Sequence, residues 1–599
     1  MIVNSKNRIE QIIIQFKERF SLGWADSFDW DNEHGEESLG LLREKVDDFE
    51  REVFPLFSQS VLSGEYLIRK DFPETLDSLY ELLSSAELYD DETIHQKKVA
   101  YQSFNAMTYE LMGIIRRLRY LLTMLNNKYV ERQTKYVVNA YKKVRENPFV
   151  SFYGRYYEML LDITQIDHFL SYEKNYIKKL IIYHTELLKG VKNQNLSEKS
   201  IIVLKVLNEK CLFLLKKLLI DDGKYFDFMI DFQPYHYDTR DLSFSYYSDL
   251  DRRFEFYRSE NYTNDPIGEE LDIKAHKKTL FIGDYALLMK YYKDSANTRK
   301  VQIDNILKDF DGLYDSFCAR FTQRPLDKYA LATLKNYMYN CVFSFVMKEK
   351  SYTFDQLVKD LNNIIDIQFK TGILNFYPYR KAFKKALELL HSNDSLKIED
   401  LMEYKNFLEL CKSKFEESIN WCRTNYFYPI QNCYRECLVP VADFGAVFIA
   451  SSFCRPVRYE KLEDELATYK SQLLLVDNEI ALREEKNELE KLRVDINNSK
   501  TREIEVLSFF VGIITFLFGT IGFFANIEEG DFVHMLFSIL GLGAVLLIFV
   551  SGIHMVTMKK EDRVRDYFKH PRAWYCILTI LASVSLLIWL VIKVKVLAA

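Results

Sequence analysis

The sequence predicts a mainly α-helical protein with four parts: a large cytoplasmic helical domain, a small β-hairpin element within it, a long stalk helix, and a C-terminal membrane domain of two to three transmembrane helices. Glycine and proline are scarce, at 20 and 11 of 599 residues, which favours long helices over tight turns. Hydrophobic residues make up 48% of the chain, enough for a packed core. Three long apolar runs near the C-terminus are hidden by a mean hydropathy of −0.18.

The membrane domain is predicted at 506–599, with the three runs as spans: about 506–527, 532–558 and 573–592. Each run has about 20 or more residues without Asp, Glu, Lys or Arg, which is enough to cross about 30 Å of hydrocarbon. The loop after the second run is basic and the loop before it is acidic. The positive-inside rule therefore places the large N-terminal part in the cytoplasm. Lys593 and Lys595 oppose this assignment, which leaves open whether the third run spans fully.

A stalk helix is predicted at 457–505, directly before the first span, because no Gly or Pro lies between Pro456 and Gly512. It carries two apolar seams, the first with steps of four and three and the second with steps of seven: Leu462, Leu466, Tyr469, Leu473, Val476, Ile480; and Leu475, Leu482, Leu489, Ile496. Two seams favour a bundle of several helices, and so a homo-oligomer. The alternative is a peripheral helix packed on its own domain. If it continues into the first span, the helix extends on the order of 100 Å.

The rest of the chain divides into an N-terminal helical region, an aromatic-rich α/β insertion and a second helical region: 1–223, 224–290 and 291–455. Within the insertion, 242–247 and 253–257 alternate with a period of two. We expect these segments to form a β-hairpin with its turn at 248–251. Thr279 to Ile282 is expected to add a further short strand.

Composition and motifs argue against an enzyme, a nucleic-acid binder and a metalloprotein. A net charge of −6 lacks the basic excess that direct nucleic-acid binding needs. The sequence has no phosphate-binding P-loop, GxGxxG, HExxH or GxSxG motif, so we expect no catalytic residues. Cys411, Cys422 and Cys433 have no histidine nearby. We expect them to be buried, reduced thiols and expect no metal site.

The first predicted span carries one face of small and polar residues: Glu505, Ser508, Gly512, Thr515, Gly519, Gly522 and Asn526. Steps of three and four place all of them on the same side of a helix. One interpretation is a close helix–helix contact, for which membrane helices use small residues. The other is the wall of a pore in a symmetric oligomer, where a ring of Glu505 at the cytoplasmic mouth would select cations.

A candidate ligand site lies in the aromatic-rich insertion. Arg252, Arg253 and Tyr257 combine guanidinium groups that can pair with a phosphate and a ring that can stack on a base. Between Lys174 and Lys217, ten lysines stand against three acidic residues, which adds local positive charge. The alternative is that the lysines form a solvated helix face and the aromatic residues only pack.

The order of a large cytoplasmic domain, a long helix entering the membrane, a short outer loop and a returning span resembles the CorA family of magnesium channels, over roughly 457–558. Family members end the first span with a Gly-Met-Asn motif at the outer ion entrance. Here Gly522 and Asn526 are separated by Phe-Phe-Ala, which departs from the motif for Mg²⁺. The third span and the tyrosine-rich domain are similar to CorA-like membrane effectors of type III CRISPR systems.

That resemblance implies an oligomeric effector in the bacterial inner membrane that permeabilises the lipid bilayer, or passes cations, in antiviral defence. Its gating ligand would be a nucleotide second messenger, a conjugate of S-adenosylmethionine and AMP, bound by the cytoplasmic part. Two alternatives stay open. The first is a CorA-type divalent cation channel that takes Mg²⁺, and the second is a non-conducting, membrane-tethered interaction scaffold.

Overall fold

The computed structural model describes residues 7–21, 23–31, 33–89, 94–129, 153–222, 246–259, 265–295, 299–320, 325–393, 396–524 and scattered positions between 535 and 593. The chain forms two units, Met1–Val476 and Asp477–Ala599. The described residues are mainly helical, as predicted. Their helices are α1 (Arg8–Arg19), α2 (Gly35–Leu62), α3 (Glu65–Ile68), α4 (Phe72–Ser85), α5 (His95–Tyr129), α6 (Gly154–His168), α7 (Lys174–Val191), α8 (Glu198–Leu219), α9 (Ser248–Arg258), α10 (Pro266–His276), α11 (Ile282–Asp294), α12 (Lys300–Arg320), α13 (Pro325–Val346), α14 (Phe354–Thr371), α15 (Tyr377–His391), α16 (Ile398–Asn425) and α17 (Tyr459–Phe524).

The first helices of unit Met1–Val476 are held together by aromatic side chains. Helix α1 packs on α2 and α4, and α5 packs on both of these partners. Phe16 and Phe20 of α1 lie 5.6 and 5.3 Å from the ring of Phe49, and Phe104 closes the cluster. Each large buried ring removes apolar area from water, which is the main source of stability for such a bundle.

Helix α8 runs through the centre of the same unit. It packs on α2, α6 and α7, and from Val203 onward nearly every side chain is buried. Its first turn is capped by the hydroxyl of Ser197, which accepts a hydrogen bond from the backbone N–H of Ser200. A helix that is buried on all sides places its lysines in the protein interior, which matters for the site described below.

The second helical region follows the same rules of helix capping and packing. Helix α14 begins with a capping box, in which Thr353 and Gln356 satisfy each other's backbone N–H groups. Gly372 caps its C-terminal end with a φ of 70°. This angle lies in the left-handed region, which residues other than glycine adopt only at an energetic cost. Consecutive helices from α11 to α16 pack on one another, so this region is built largely from local contacts.

The predicted hairpin at 242–247 and 253–257 is wrong in its second strand. Residues 248–258 form helix α9, whereas 242–245 lie outside the described residues. Leu250, Phe254 and Tyr257 also repeat at helical spacing, and acidic residues fill the first turn with Arg258 in the last, an arrangement that favours a helix. Thr279 to Ile282 is not a strand either, since Ile282 begins α11.

A small β-hairpin is present elsewhere. Strands β1 (Leu438–Val441) and β2 (Gly445–Phe448) pair antiparallel, with Leu438 opposite Phe448. Both strands have four residues, and β1 contains a proline, so neither has the alternating pattern that reveals a strand in a sequence. The turn between them places Asp443 and Gly445 at φ of 58° and 102°.

Helix α17 is one continuous helix of 66 residues. This confirms that the predicted stalk at 457–505 runs into the first predicted span. In unit Met1–Val476, the first seam of this helix is buried. Tyr469 stacks on Phe383 of α15 with ring centroids 3.9 Å apart, and Glu465 pairs with Arg380 at 2.7 Å. The first third of the helix is therefore packed on its own domain, as the alternative interpretation of the first seam expected.

Among the described residues, one helix, Tyr459–Gly522, contains a segment long and apolar enough to cross a membrane. The described positions of the second and third predicted spans are helical, and Val584–Lys593 forms a shorter apolar helix. Most residues of 532–558 lie outside the described part of the chain, so the number of membrane helices stays a prediction. The boundary between the two units falls inside α17, within the predicted stalk.

Candidate ligand site at the base of the long helix

A pocket of about 920 Å³ lies in unit Met1–Val476 where helix α17 begins. Five basic side chains line it together with three carboxylates and a few apolar groups, and we call it the basic pocket. Its lining residues are Asp221, Arg252, Glu255, Phe256, Arg258, Ser259, Asp265, Pro266, Ile267, Arg455, Arg458 and Lys461. A polar pocket with an excess of positive charge favours an anionic ligand.

Two separate parts of the chain supply the basic groups. Helix α9 contributes Arg252, near its middle, and Arg258, its last residue. The segment that leads into α17 contributes Arg455 and Arg458, and Lys461 lies in the first turn of that helix. The start of α10 also lines the pocket, where Pro266 and Ile267 provide apolar surface.

The end of α8 positions both basic segments. Lys216 of α8 forms ion pairs with Asp251 at 2.6 Å and Glu255 at 2.8 Å, which attach α9. Asp221, in the short 3₁₀ turn after α8, pairs with Arg455 at 2.7 Å. The pocket is thus built on the rigid, buried helix α8, and its cations are held at defined places.

The guanidinium group of Arg455 stays charged. Burial lowers the pKa of Arg455, but the hydrogen bond and the negative charge of Asp221, together with Tyr257 and Tyr377, leave the pKa above its ordinary value. Arg458 places its guanidinium 4.2 Å from the ring centroid of Tyr172, which orients it. Lys461 is exposed, so it adds charge at the rim.

Carboxylates partly neutralise the cations of the basic pocket. Arg258 pairs with Glu255 at 3.1 Å, and Arg252 pairs with Asp249 at 3.0 Å. Asp265 accepts the backbone N–H of Ile267 and so caps α10. An incoming phosphate would compete with these carboxylates for the same guanidinium groups, and Arg binds both by the same two-pronged geometry.

Of the three ligand-binding residues predicted from the sequence, only Arg252 lines the basic pocket. Arg253 points elsewhere: it pairs with the buried carboxylate of Asp284 at 2.8 Å and lines a separate cavity of about 290 Å³. Tyr257 packs between Phe453 and Tyr337, with centroids 6.0 and 6.4 Å away. Burial raises its pKa well above the ordinary value, so its hydroxyl stays protonated.

Sequence reasoning missed four basic residues of the pocket: Arg258, Arg455, Arg458 and Lys461. A signal for the last three was present, because they recur every three residues just where the long helix begins. This spacing gathers three cations in the seven residues that lead into and begin the helix. Nothing in the sequence brings this segment next to α9, which lies about 200 residues earlier in the chain.

The same unit contains a buried lysine cluster, formed by Lys128, Lys210 and Lys217 around Asp167. Lys210 pairs with Asp167 at 3.0 Å, and both side chains are almost completely buried. Lys217 donates to the hydroxyl of Ser451 at 2.7 Å. Three of the ten lysines expected on a solvated face, Lys210, Lys216 and Lys217, are therefore interior groups.

The charges of this cluster are strongly perturbed. Burial raises the pKa of Asp167, but Lys210, His168, Lys217 and the backbone N–H of Ser451 together outweigh burial and lower that pKa to about 2. Burial lowers the pKa of Lys217 to about 8 and that of Lys128 to about 7. Asp167 also accepts the backbone N–H groups of Ala450 and Ser451. The cluster therefore ties the segment before Arg455 to α6 and α8.

The predicted pore-facing residues lie in helix α17 as far as the described chain extends. Glu505, Ser508, Gly512, Thr515, Gly519 and Gly522 are helical, and Asn526 lies outside the described residues. A Cβ atom on Gly512 would lie 3.6 Å from Cδ1 of Leu546. Thr515 donates its hydroxyl to the carbonyl of Val511 at 2.8 Å. The contact of Gly512 favours the helix–helix interpretation at that position, and pore lining stays a prediction.

Among the described residues, no group of three or more His, Cys, Asp or Glu side chains is arranged to hold a metal ion. Cys411, Cys422 and Cys433 are buried free thiols, as expected. No protein family, no curated protein and no solved structure matches the chain. The resemblance to CorA-like proteins therefore stays an expectation, and the pocket has to be interpreted from its own chemistry.

Proposed function

We propose that the chain is a membrane-anchored receptor for a small, phosphate-bearing ligand that binds in the basic pocket. One observation carries the proposal: the pocket takes Lys461 from the first turn of the helix that later becomes apolar enough to cross a membrane, and Arg455 and Arg458 from the segment directly before that helix. A ligand held there contacts the helix that leaves the domain. Binding and the membrane segment then share one structural element.

The ligand class follows from the lining. Five cations and three carboxylates leave a positive excess that suits a group carrying two or more negative charges, such as a nucleotide phosphate. The volume of about 920 Å³ accommodates a molecule of nucleotide size, since ligand pockets of about 300–1,000 Å³ are usual. Pro266 and Ile267 offer an apolar wall for a base or another flat group.

The proposed output is a change in the membrane segment after ligand binding. A phosphate that replaces Asp221 at Arg455 would free the segment before α17 from the turn after α8. As a homo-oligomer in the bacterial inner membrane, with the N-terminal unit in the cytoplasm, the protein would then permeabilise the bilayer or pass cations. A role in antiviral defence is part of the same proposal and rests on the resemblance alone.

A binding experiment tests the ligand class. Purified full-length protein in detergent is titrated with nucleoside mono-, di- and triphosphates, inorganic phosphate and an S-adenosylmethionine–AMP conjugate, and heat is measured. We expect at least one nucleotide to bind, and Arg455→Gln or Arg458→Gln to weaken it by about tenfold or more, because a hydrogen bond to a charged group contributes about 1.5–3 kcal/mol. The matched control is Lys205→Gln, an exposed lysine of α8 outside the pocket.

A second experiment separates the conducting functions from the scaffold. The protein is reconstituted in liposomes loaded with an ion-sensitive dye, and leakage is followed with and without the nucleotide that binds. Ligand-dependent leakage supports the effector, and Mg²⁺ flux without ligand supports the divalent cation channel. Ligand binding with no leakage of any ion supports the non-conducting scaffold instead.

A further inference from the structure

A row of apolar side chains lies exposed along α17 in unit Asp477–Ala599. Leu482, Leu489 and Ile496 repeat every seven residues, and Leu492 lies one turn after Leu489. These residues are 65%, 60%, 54% and 56% exposed, in that order. The residues around them are mostly charged. A sevenfold apolar row within a charged helix is the pattern of a coiled-coil seam, not of a solvated face.

We infer that this row pairs with the same row of a second copy of the chain, with the two helices parallel and in register. The charges beside the row decide both partner and direction. With Leu482, Leu489 and Ile496 at the a positions, Glu488 falls at g and Arg493 at e of the next heptad. In a parallel coiled coil, each g residue faces the e residue of the following heptad on the other helix. Glu488 of one copy then faces Arg493 of the other.

The next heptad repeats the same arrangement. Asp495 occupies the following g position and Lys500 the following e position, so a second pair of opposite charges forms across the parallel interface. An antiparallel pair would bring g against g and e against e. Glu488 and Asp495 would then face acidic groups, and Arg493 and Lys500 would face basic ones. Self-pairing is attractive in the parallel direction only.

The seam also explains why the pairing is expected to be modest in strength. Leu492 is the apolar d residue, but the neighbouring d positions are Glu485 and Ser499. Glu485 would face its own copy, which costs stability. Copies that share one membrane meet at a high effective concentration, so a weak pairing is sufficient there. The inference goes beyond ligand binding, and its test uses no ligand.

Disulfide crosslinking of the full chain in native membranes tests the pairing. Leu489→Cys places a thiol in the seam, and Asn487→Cys places one at the outward f position of the same turn. After mild oxidation we expect Leu489→Cys to form a crosslinked dimer of the chain, with little from Asn487→Cys and none from the wild-type protein. Equal crosslinking of the two variants, or crosslinking of Leu489→Cys only to a different protein, would overturn the inference.

Charge reversal tests direction and register in the same background. Glu488→Arg alone and Arg493→Glu alone should each lower dimer crosslinking through Leu489→Cys by about fivefold, because two exposed ion pairs per dimer become repulsive. The combined change Glu488→Arg with Arg493→Glu should restore crosslinking. All these side chains are exposed, so the variants fold. A double variant as weak as the singles would refute the parallel, in-register arrangement.

Discussion

Replacing Asp167 with Asn removes the carboxylate that pairs with Lys210 in the buried lysine cluster. The side chain is fully buried, and its oxygens accept from Lys210 at 3.0 Å, from the backbone N–H of Ala450 at 2.7 Å and from Ser451. Asparagine preserves the shape and one acceptor. Its amide group, however, would donate toward N–H and ammonium groups that are themselves donors.

Two routes give the magnitude of this effect. Removing one partner of a buried ion pair costs about 3–5 kcal/mol, because the other charge is left without compensation. The pKa route gives a smaller figure. A carboxyl whose pKa is about 2 in the folded chain, in place of 3.8, adds about 2 kcal/mol to the free energy of unfolding at neutral pH. This contribution is lost as the pH falls toward 2. The first route is larger since it includes the stranded ammonium of Lys210. We therefore expect a loss of about 3 kcal/mol or more.

Urea unfolding of the full chain in detergent, followed by near-ultraviolet circular dichroism, measures the loss. Lys210→Met serves as the second arm of a double-mutant cycle, because Asp167→Asn combined with Lys210→Met removes both partners of the pair. We expect the double variant to lose less than the sum of the two single losses. A loss below about 1 kcal/mol for Asp167→Asn, with strictly additive effects, would refute the view that this pair anchors the segment before α17.

Three further predictions concern pH, the long helix and the pocket wall. Burial lowers the pKa of His168 to about 3, so the unfolded chain binds more protons than the folded chain between about pH 3 and 6.5. The urea midpoint should therefore rise with pH across that window. The same dependence of the urea midpoint on pH in His168→Gln would contradict this prediction. Tyr469→Ala should cost about 3–5 kcal/mol in thermal or urea unfolding, since it removes a buried stacked ring, whereas Tyr469→Phe should cost far less. Gly268→Ala should cost about 1–3 kcal/mol of unfolding free energy, because its Cβ would overlap the Tyr291 ring. The control is Gly312→Ala, whose Cβ would meet no atom within 4 Å. Equal unfolding midpoints for these two variants would show the prediction wrong.

Features that depend on long periodic patterns could be predicted from the sequence. The continuity of α17 follows from the absence of Gly and Pro over more than 50 residues, and the burial of Leu462, Leu466 and Tyr469 follows from their spacing. The hairpin prediction failed for a related reason. Over five residues, Arg253–Tyr257 fits a period of two as well as a helical period, and the packing of Phe254 decides between them.

The basic pocket and the buried lysine cluster depend on contacts between distant parts of the chain. Arg455 meets Asp221, and Lys210 meets Asp167, across separations that no local pattern encodes. A lysine run in a sequence is typical of a solvated helix face, yet most of α8 from Val203 onward is buried, and carboxylate and carbonyl oxygens compensate Lys210 and Lys217. Tertiary packing, not composition, gives these residues their roles.

Hydrogen exchange of the backbone at the start of α17 tests the central claim most directly. The full chain is labelled with deuterium with and without a saturating amount of the nucleotide that binds, and exchange is compared at 459–476, in the wild type, in Arg455→Gln and in Lys205→Gln. We expect ligand to change exchange in this segment in the wild type and in Lys205→Gln, and to change it far less in Arg455→Gln. Saturating ligand that leaves exchange at 459–476 unchanged in the wild type would contradict the claim that the basic pocket acts through the long helix.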